Sequence, residues 1–288
     1  MAVKIVTDSS SDLSYEYIDN NNIGIIPLNI IFGERSFVPR EELSTQQFYE
    51  MLEQSTELPK TAHPSPAVIE EIFKRSVDDG DDVVAIFMSS NMSGIYNTSV
   101  MVKSQMGFDN IFISDSRTVT FALGLLVMEA VKMRNAGKTA KEIYEEIEQL
   151  KEKVVLLASI GNLKYLQMGG RLSPGTAFIG GMLNFKPIIT IKNGLVEVIG
   201  KQRGQKRAYE SILTLVKNCG IDENYTRFFA HTHMPSIMLE FIDYFKIAFP
   251  KTKTEEFELC NIGSTVGVHV GPGATGIAFV AKSQLNEI

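Results

Sequence analysis

The sequence predicts an α/β protein: an N-terminal domain with a parallel sheet in an α/β/α arrangement, followed by a mixed α+β domain. Three observations carry this. A chain of 288 residues is at the size where a single core stops growing, so two domains are expected. Short apolar strands alternate with helical stretches through the first half, which implies βαβ units. In the second half PIITIKNGLVEVIGKQ sets Asn193-Gly194 between two extended runs, a strong hairpin signal. The texture changes near residue 160, giving domains at 1–160 and 161–288.

Along the chain, VKIV (3–6) reads as a buried strand running into TDSSSD, and IGIIPLNIIF (23–32) as one extended stretch turning at Gly33-Glu34. Ser44 and Gln47 have capping-box spacing, so a helix starts there. AVIEEIFKRSV is a helix, VVAIFM (83–88) a strand, SGIYNTSVMVKSQ (93–105) a helix and IFIS (111–114) a strand. FALGLLVMEAVKM is a long apolar helix, and KEIYEEIEQLKEK is amphipathic with a solvated face. VVLLASI (154–160) closes the first domain as a strand. After the hairpin come a helix (QKRAYESILTLVKNC), a strand (RFFAHT) and a helix (SIMLEFIDYFKIAF). The final strands carry the glycine run VGVHVGPGATG (266–276) and GIAFVAK.

Composition narrows the function. With 44% hydrophobic and 22% charged residues the chain is an ordinary globular protein, and a net charge of -6 argues against nucleic acid. Cys219 and Cys260 lack a CxxC partner, so neither a disulfide framework nor a zinc knuckle is expected. The start AVKIVTDSS lacks the regions of a signal peptide, and VTFALGLLVMEAV, the nearest approach to a membrane span, is closed off by Glu129 and Lys132. A cytoplasmic protein without stable membrane insertion is expected.

Several strands open into hydroxyl-rich loops: Thr7-Asp8-Ser9-Ser10-Ser11, Ser89-Ser90-Asn91-Met92-Ser93-Gly94 and Ser114-Asp115-Ser116. Any one is most simply a helix N-cap. Three at one sheet edge, where ligands sit in such folds, favour an anion. GPGATG imitates a dinucleotide fingerprint but is followed by the apolar IAFVAK rather than a helix and acidic residue, so that reading fails. No P-loop is present. Ser93 lacks a G-x-S-x-G elbow, although His269 reaching it across the fold keeps an acyl hydrolase or transferase open. A small-anion or nucleotide sensor using the loops is a third reading. His231 and His233, two apart on a strand, share one face, where packing is favoured over metal for want of a third ligand. Thr61 lies in the loop PKTAHPS, in which Pro64 biases His63 to an extended conformation.

Together TDSSSDL (7–13), TAHPS (61–65), SSNMSGIYN (89–97), GGRLS (169–173) and HVGPGATGIAF (269–279) resemble the DegV family, and more narrowly the fatty-acid-binding subunits of bacterial fatty-acid kinase. The resemblance spans the chain. It implies two domains holding one long-chain fatty acid, with no other cofactor and no metal, and a separate kinase subunit as partner. It places the carboxylate-binding hydroxyls on Thr61 and Ser93 and the family histidine on His269; the Gly94 N–H is a further donor. Ala62 stands where the family commonly has serine, which removes an outer hydrogen bond. The glycines around His269 are then expected to let backbone approach the ligand, and TAFIGGMLNFKPIITI (176–191) to line the tail. Arg171 is expected nearer the carboxylate. Arg203, in the basic run 201–207, is expected to face the kinase or to steady an acyl phosphate.

Overall fold

The structure, a computed structural model, describes residues 2–78, 80–107, 109–174 and 185–283. The first half runs β1 (Val3–Asp8), α1 (Tyr15–Asn20), β2 (Gly24–Ile26), β3 (Asn29–Phe32), β4 (Arg35–Phe37), α2 (Thr45–Gln54) and β5 (Lys60–Ala62). It continues with α3 (Pro66–Asp78), β6 (Asp82–Phe87), α4 (Ile95–Met106), β7 (Ile111–Asp115), α5 (Thr120–Asn135) and α6 (Ala140–Leu150). The second half comprises β8 (Val154–Ser159), α7 (Lys164–Gly169), β9 (Phe185–Lys192), β10 (Leu195–Arg203), α8 (Gln205–Cys219) and β11 (Phe228–His231). It ends with α9 (Pro235–Ala248), β12 (Glu258–Asn261), α10 (Ser264–Val270) and β13 (Thr275–Val280).

Three sheets result. The parallel sheet has the order β2-β1-β6-β7, the large mixed sheet β10-β9-β8-β13-β11-β12, and a small antiparallel sheet β4-β3-β5. Helices α3 and α4 cover one face of the parallel sheet, and α5 and α6 the other. Helix α5 also touches β8, β11 and β13, so it is packed between the two larger sheets, while α8 and α9 cover the far face of the mixed sheet. That position explains its sequence: every residue from Thr120 to Val131 is buried, and a helix with apolar side chains on every face must be covered all round. Among the described residues no helix is long and apolar enough to cross a membrane.

Polar staples tie α5 to both halves. Buried Glu129 accepts from the Thr226 N–H at 2.7 Å, the Thr226 hydroxyl at 2.6 Å and Lys132 Nζ at 2.8 Å. Asp12 accepts from the Thr120 hydroxyl at 2.6 Å and from the Gly263 N–H at 2.9 Å; burial pushes its carboxyl up to about 6.

The expected capping box at Ser44 and Gln47 starts α2, and Asn193 and Gly194 both take positive φ, as a type I′ hairpin turn requires. Four expectations need correction. The stretch 23–32 breaks at Pro27, which has no N–H for a ladder, into β2 of the parallel sheet and β3 of the small one. VVLLAS lies in the middle of the mixed sheet, so the sheet changes at Val154 rather than near residue 160; a short apolar run reads alike in either sheet. Thr61 sits on the short strand β5, not in a loop. The first part of the glycine run is helix α10, because its valines and glycine are buried on all sides and the strand begins only at Thr275.

Helix α10 packs against α2, and Gly267 makes that approach possible. A Cβ there would lie 2.6 Å from Phe48 Cε1 and 2.9 Å from the Tyr49 hydroxyl oxygen, both in fully buried side chains. Gly267→Ala is therefore expected to destabilise the protein by about 1–3 kcal/mol, seen as a lower urea midpoint at unchanged m-value. An unchanged midpoint would show that the two helices have slack.

Candidate functional site

In a parallel sheet the ligand crevice lies beyond the strand C-termini, at the point where strand order reverses. Here that point is between β1 and β6. Most hydroxyls of the strand-end loops are used internally. Asp8 accepts from Ser10 N–H at 2.9 Å and Met88 N–H at 2.8 Å, Ser9 Oγ accepts from Leu28 N–H at 3.0 Å, and Ser89 Oγ donates to Gly194 O at 2.7 Å. Ser90 Oγ donates to Asp115 at 2.5 Å. These loops mainly cap and staple. Ser93 is different: its oxygen accepts from Ile95 N–H at 3.3 Å and leaves its own O–H free to donate. The Gly94 N–H has no partner among the described residues.

Beside this loop lies a cavity of about 200 Å3 whose walls bring together Thr61, Ser93, Gly94, Arg171 and His269. Apart from these and His63, its wall is largely apolar, with Leu28, Met88, Met92, Val119, Leu166 and Val196. Val119, Val196, Val266 and Val270 also belong to a narrower fissure of about 40 Å3 that runs on between the sheets. The fissure is walled almost wholly by apolar side chains, including Leu156, Ile160, Ile189 and Ile191. On the other side, Thr61, Arg171 and His269 border a surface groove of about 950 Å3. The polar groups therefore ring a neck between an outer groove and an apolar interior.

Within the ring, Thr61 Oγ1 lies 3.1 Å from His269 Nε2. His269 Nδ1 is buried without a partner, close against Gly169, where a Cβ would come within 2.4 Å of it. A buried N–H without an acceptor is rarer than a bare acceptor, which puts the proton on Nε2. His269 then donates to Thr61, and the Thr61 hydroxyl is free to donate into the cavity. Burial, with the nearby Arg171 charge, holds His269 down at about 4, so the ring is neutral there at ordinary pH. Arg171 supplies the positive charge; its Nε donates to Met92 O at 3.2 Å, and the guanidinium also reaches Gly169 O.

Five residues expected from the sequence meet here, and a sixth joins them unforeseen. His63 lies over Gly94, whose Cβ would be 3.4 Å from its ring, and it engages Pro64 O through Nδ1 at 3.0 Å. The signal was the TAHPS segment itself, whose proline fixes His63 but says nothing of its target. Arg203 is not brought to the ring. It is exposed at the end of β10 opposite Phe185, seven residues along the strand from Val196, roughly 23 Å at normal strand rise. The glycines beside His269 serve packing rather than ligand approach: Gly267 meets Phe48 and Tyr49, and Gly271, at φ 69, meets Tyr165. Of the tail stretch 176–191, residues 176–184 lie outside the described residues, and Ile189 and Ile191 do line the fissure.

No hydrogen bond joins Ser93 to His269 among the described residues, and a histidine held near 4 is a poor general base, so the hydrolase reading loses its catalytic pair. His231 and His233 do not share a strand face. His233 follows the strand at φ 59 and stacks on Tyr49 with ring centroids 4.9 Å apart. Among the described residues no group of three His, Cys, Asp or Glu side chains is placed to hold a metal ion.

Known proteins resemble this chain along nearly its whole length. A DegV domain-containing protein from Caldanaerobacter subterraneus subsp. tengcongensis is 32% identical over 284 residues, covering 97% of this chain and 99% of that protein. Bacillus subtilis DegV, described as a fatty acid binding protein, superposes with a TM-score of 0.83 at 28% identity, covering 98% of this chain and 100% of that one. A stearic acid-binding protein from Eubacterium ventriosum gives a TM-score of 0.86 at 25% identity over the whole of both chains. The family profile described as "Uncharacterised protein, DegV family" matches residues 2–282, and with an end-to-end relative beside it this chain belongs to the DegV family.

Proposed function

We propose that the protein binds one long-chain fatty acid and presents its carboxylate to a separate ATP-dependent kinase, which makes the acyl phosphate. The observation that carries the reading is the neck: donors and one cation ring the junction of an open groove with an apolar interior. A carboxylate leaving water needs such donors, each contributing about 1.5–3 kcal/mol. Thr61, Ser93 and the Gly94 N–H supply them, Arg171 balances the charge, and His269 holds the Thr61 hydroxyl in its donating orientation. Burial of the tail contributes more, about 0.8 kcal/mol per CH₂, or near 11 kcal/mol for fourteen methylenes before entropic costs. Fatty-acid binding by the relatives from Bacillus subtilis and Eubacterium ventriosum supports the same chemistry here. The carrier does no chemistry itself: it has no P-loop, and phosphoryl transfer is mostly positioning and electrostatic stabilisation, which a partner kinase with ATP and metal completes.

Extraction of the purified protein into organic solvent, followed by mass spectrometry, is expected to yield a stoichiometric long-chain fatty acid; an empty extract together with esterase turnover would favour a hydrolase instead. Thr61→Ala and Ser93→Ala should each weaken fatty-acid binding by roughly 5- to 150-fold with the fold intact, since each removes one donor. Unchanged affinity in both would take these residues out of the site.

In a reconstituted kinase assay at limiting carrier, Arg203→Ala is expected to keep fatty-acid binding but lose most acyl-phosphate formation, because its place on an exposed strand end suits partner contact. Normal turnover would remove Arg203 from that role.

His269 also sets a pH dependence. Its folded value of about 4 lies below its ordinary 6.5, so the folded state binds fewer protons than the unfolded chain in that window and stability falls as pH drops. Asp12, raised from 3.8 to about 6, works in the opposite sense. His269→Gln removes only the first effect. Between about pH 7 and pH 4.5 it should lose less stability than the wild type, by on the order of 1–3 kcal/mol in urea unfolding. Equal losses would mean the imidazole is not held neutral by burial.

A further inference from the structure

In the loop that follows β7, Val119 lines the acyl cavity, whereas Ser116, Arg117 and Thr118 line a second concave cleft of about 450 Å3. Its other walls come from residues 151–155, from 190–194 at the hairpin turn, and from 281–283 after β13. Among the described residues five cations line it, Arg117, Lys151, Lys153, Lys192 and Lys282, against one carboxylate, Glu152. Arg117 pairs with Glu152 at 3.2 Å, and the buried Lys151 Nζ is held by Glu148 at 2.7 Å and Asp115 O at 2.9 Å. The other three lysines are exposed and have no ion pair among the described residues. In a chain of net charge -6, gathering three cations that have no ion pair among the described residues around one cavity raises the Coulomb energy, which an anion seated among them would lower. Thr118 and Thr190, both buried residues of the wall, make no side-chain hydrogen bond among the described residues, so their hydroxyls are available as donors.

We propose that this cleft binds a small polyanion carrying two or more linked phosphate groups, independently of the acyl cavity. Lysine is a compact, strongly hydrated point charge suited to phosphate, whereas a bidentate carboxylate site would favour arginine. Among the described residues no aromatic side chain lines the cleft, so they offer no stacking surface for a nucleobase and recognition rests on the phosphates. The volume is that of a small-molecule site, which separates it from a surface for a protein segment. The cleft shares no wall residue with the carboxylate cavity and only Ile191 with the apolar fissure, so the two sites fill separately.

The test is calorimetric titration of the full chain with pyrophosphate in about physiological salt, with orthophosphate and sulfate as comparators. The expected result is one saturable site that prefers pyrophosphate at least tenfold over sulfate. The triple variant Lys153→Gln, Lys192→Gln, Lys282→Gln should weaken it tenfold or more while leaving bound fatty acid, read by mass spectrometry, unchanged. Should that variant fail to fold, lysine acetylation of the wild type replaces it: pyrophosphate should slow modification of Lys153, Lys192 and Lys282 relative to other exposed lysines. Absence of binding, equal affinity for sulfate, undiminished binding in the folded variant, or no protection of the three lysines would each overturn the proposal. Pyrophosphate binding by a protein that extracts without fatty acid would sink the carrier reading and leave this one standing.

Discussion

The architecture depends on one helix being unable to face water on any side. Helix α5 is buried around its whole circumference from Thr120 to Val131, apolar but for the stapled Thr120 and Glu129, and only a layer on each side can cover it. The parallel sheet is one layer and the mixed sheet the other, with Phe121 against Phe228 across the second contact. Burying a helix between two sheets also fixes where their ends meet. The N-terminus of α5 arrives at the crevice beyond β1 and β6, and Val119 forms part of both the cavity and the fissure. The apolar fissure behind the neck is thus the gap left where three apolar layers converge, rather than a separate excavation.

At the mouth of that gap the polar groups are few and differ in function. Arg171 brings charge, Thr61 and Ser93 bring hydroxyl donors, and the neutral imidazole of His269 brings orientation without adding charge. A protonated histidine beside Arg171 would repel it in a partly desolvated place; holding the imidazole neutral avoids that. Short helix α10, which carries His269, is fastened at its start by Gly263 on Asp12 and along its side by Gly267 on α2. The precision of the Thr61 contact therefore rests on close backbone packing well away from the cavity.

How much of this was legible in the sequence follows from the range over which each signal acts. Local signals worked: the capping box at Ser44, the Asn193-Gly194 turn and the alternation of the first half all rest on neighbouring residues. Signals that need the partner surface did not. VVLLAS has the same run of apolar residues whether its neighbours are parallel or antiparallel, and STVGVHV looks like a strand until its all-round burial is known. The ring residues Thr61, Ser93 and His269 were found through their motifs, but no spacing rule could show that His269 bonds Thr61 rather than Ser93. Leu28, Met92 and Leu166 line the cavity with side chains that read as ordinary core. His63 was visible as a proline-fixed residue whose target lay far away in sequence.

The burial of α5 has a consequence for how the chain is made. The strands that cover its second face are β8, β11 and β13, and the last of these ends at Val280. At synthesis rates of about 5–20 residues per second, the helix leaves the ribosome many seconds before its covering layer is complete. The first half is therefore not a module that can finish folding and wait; it carries an uncovered apolar stripe until the chain has been released through Val280. Splitting the gene between the sheets would give two fragments that need each other, held together by the same surface that in the intact chain closes around the apolar fissure.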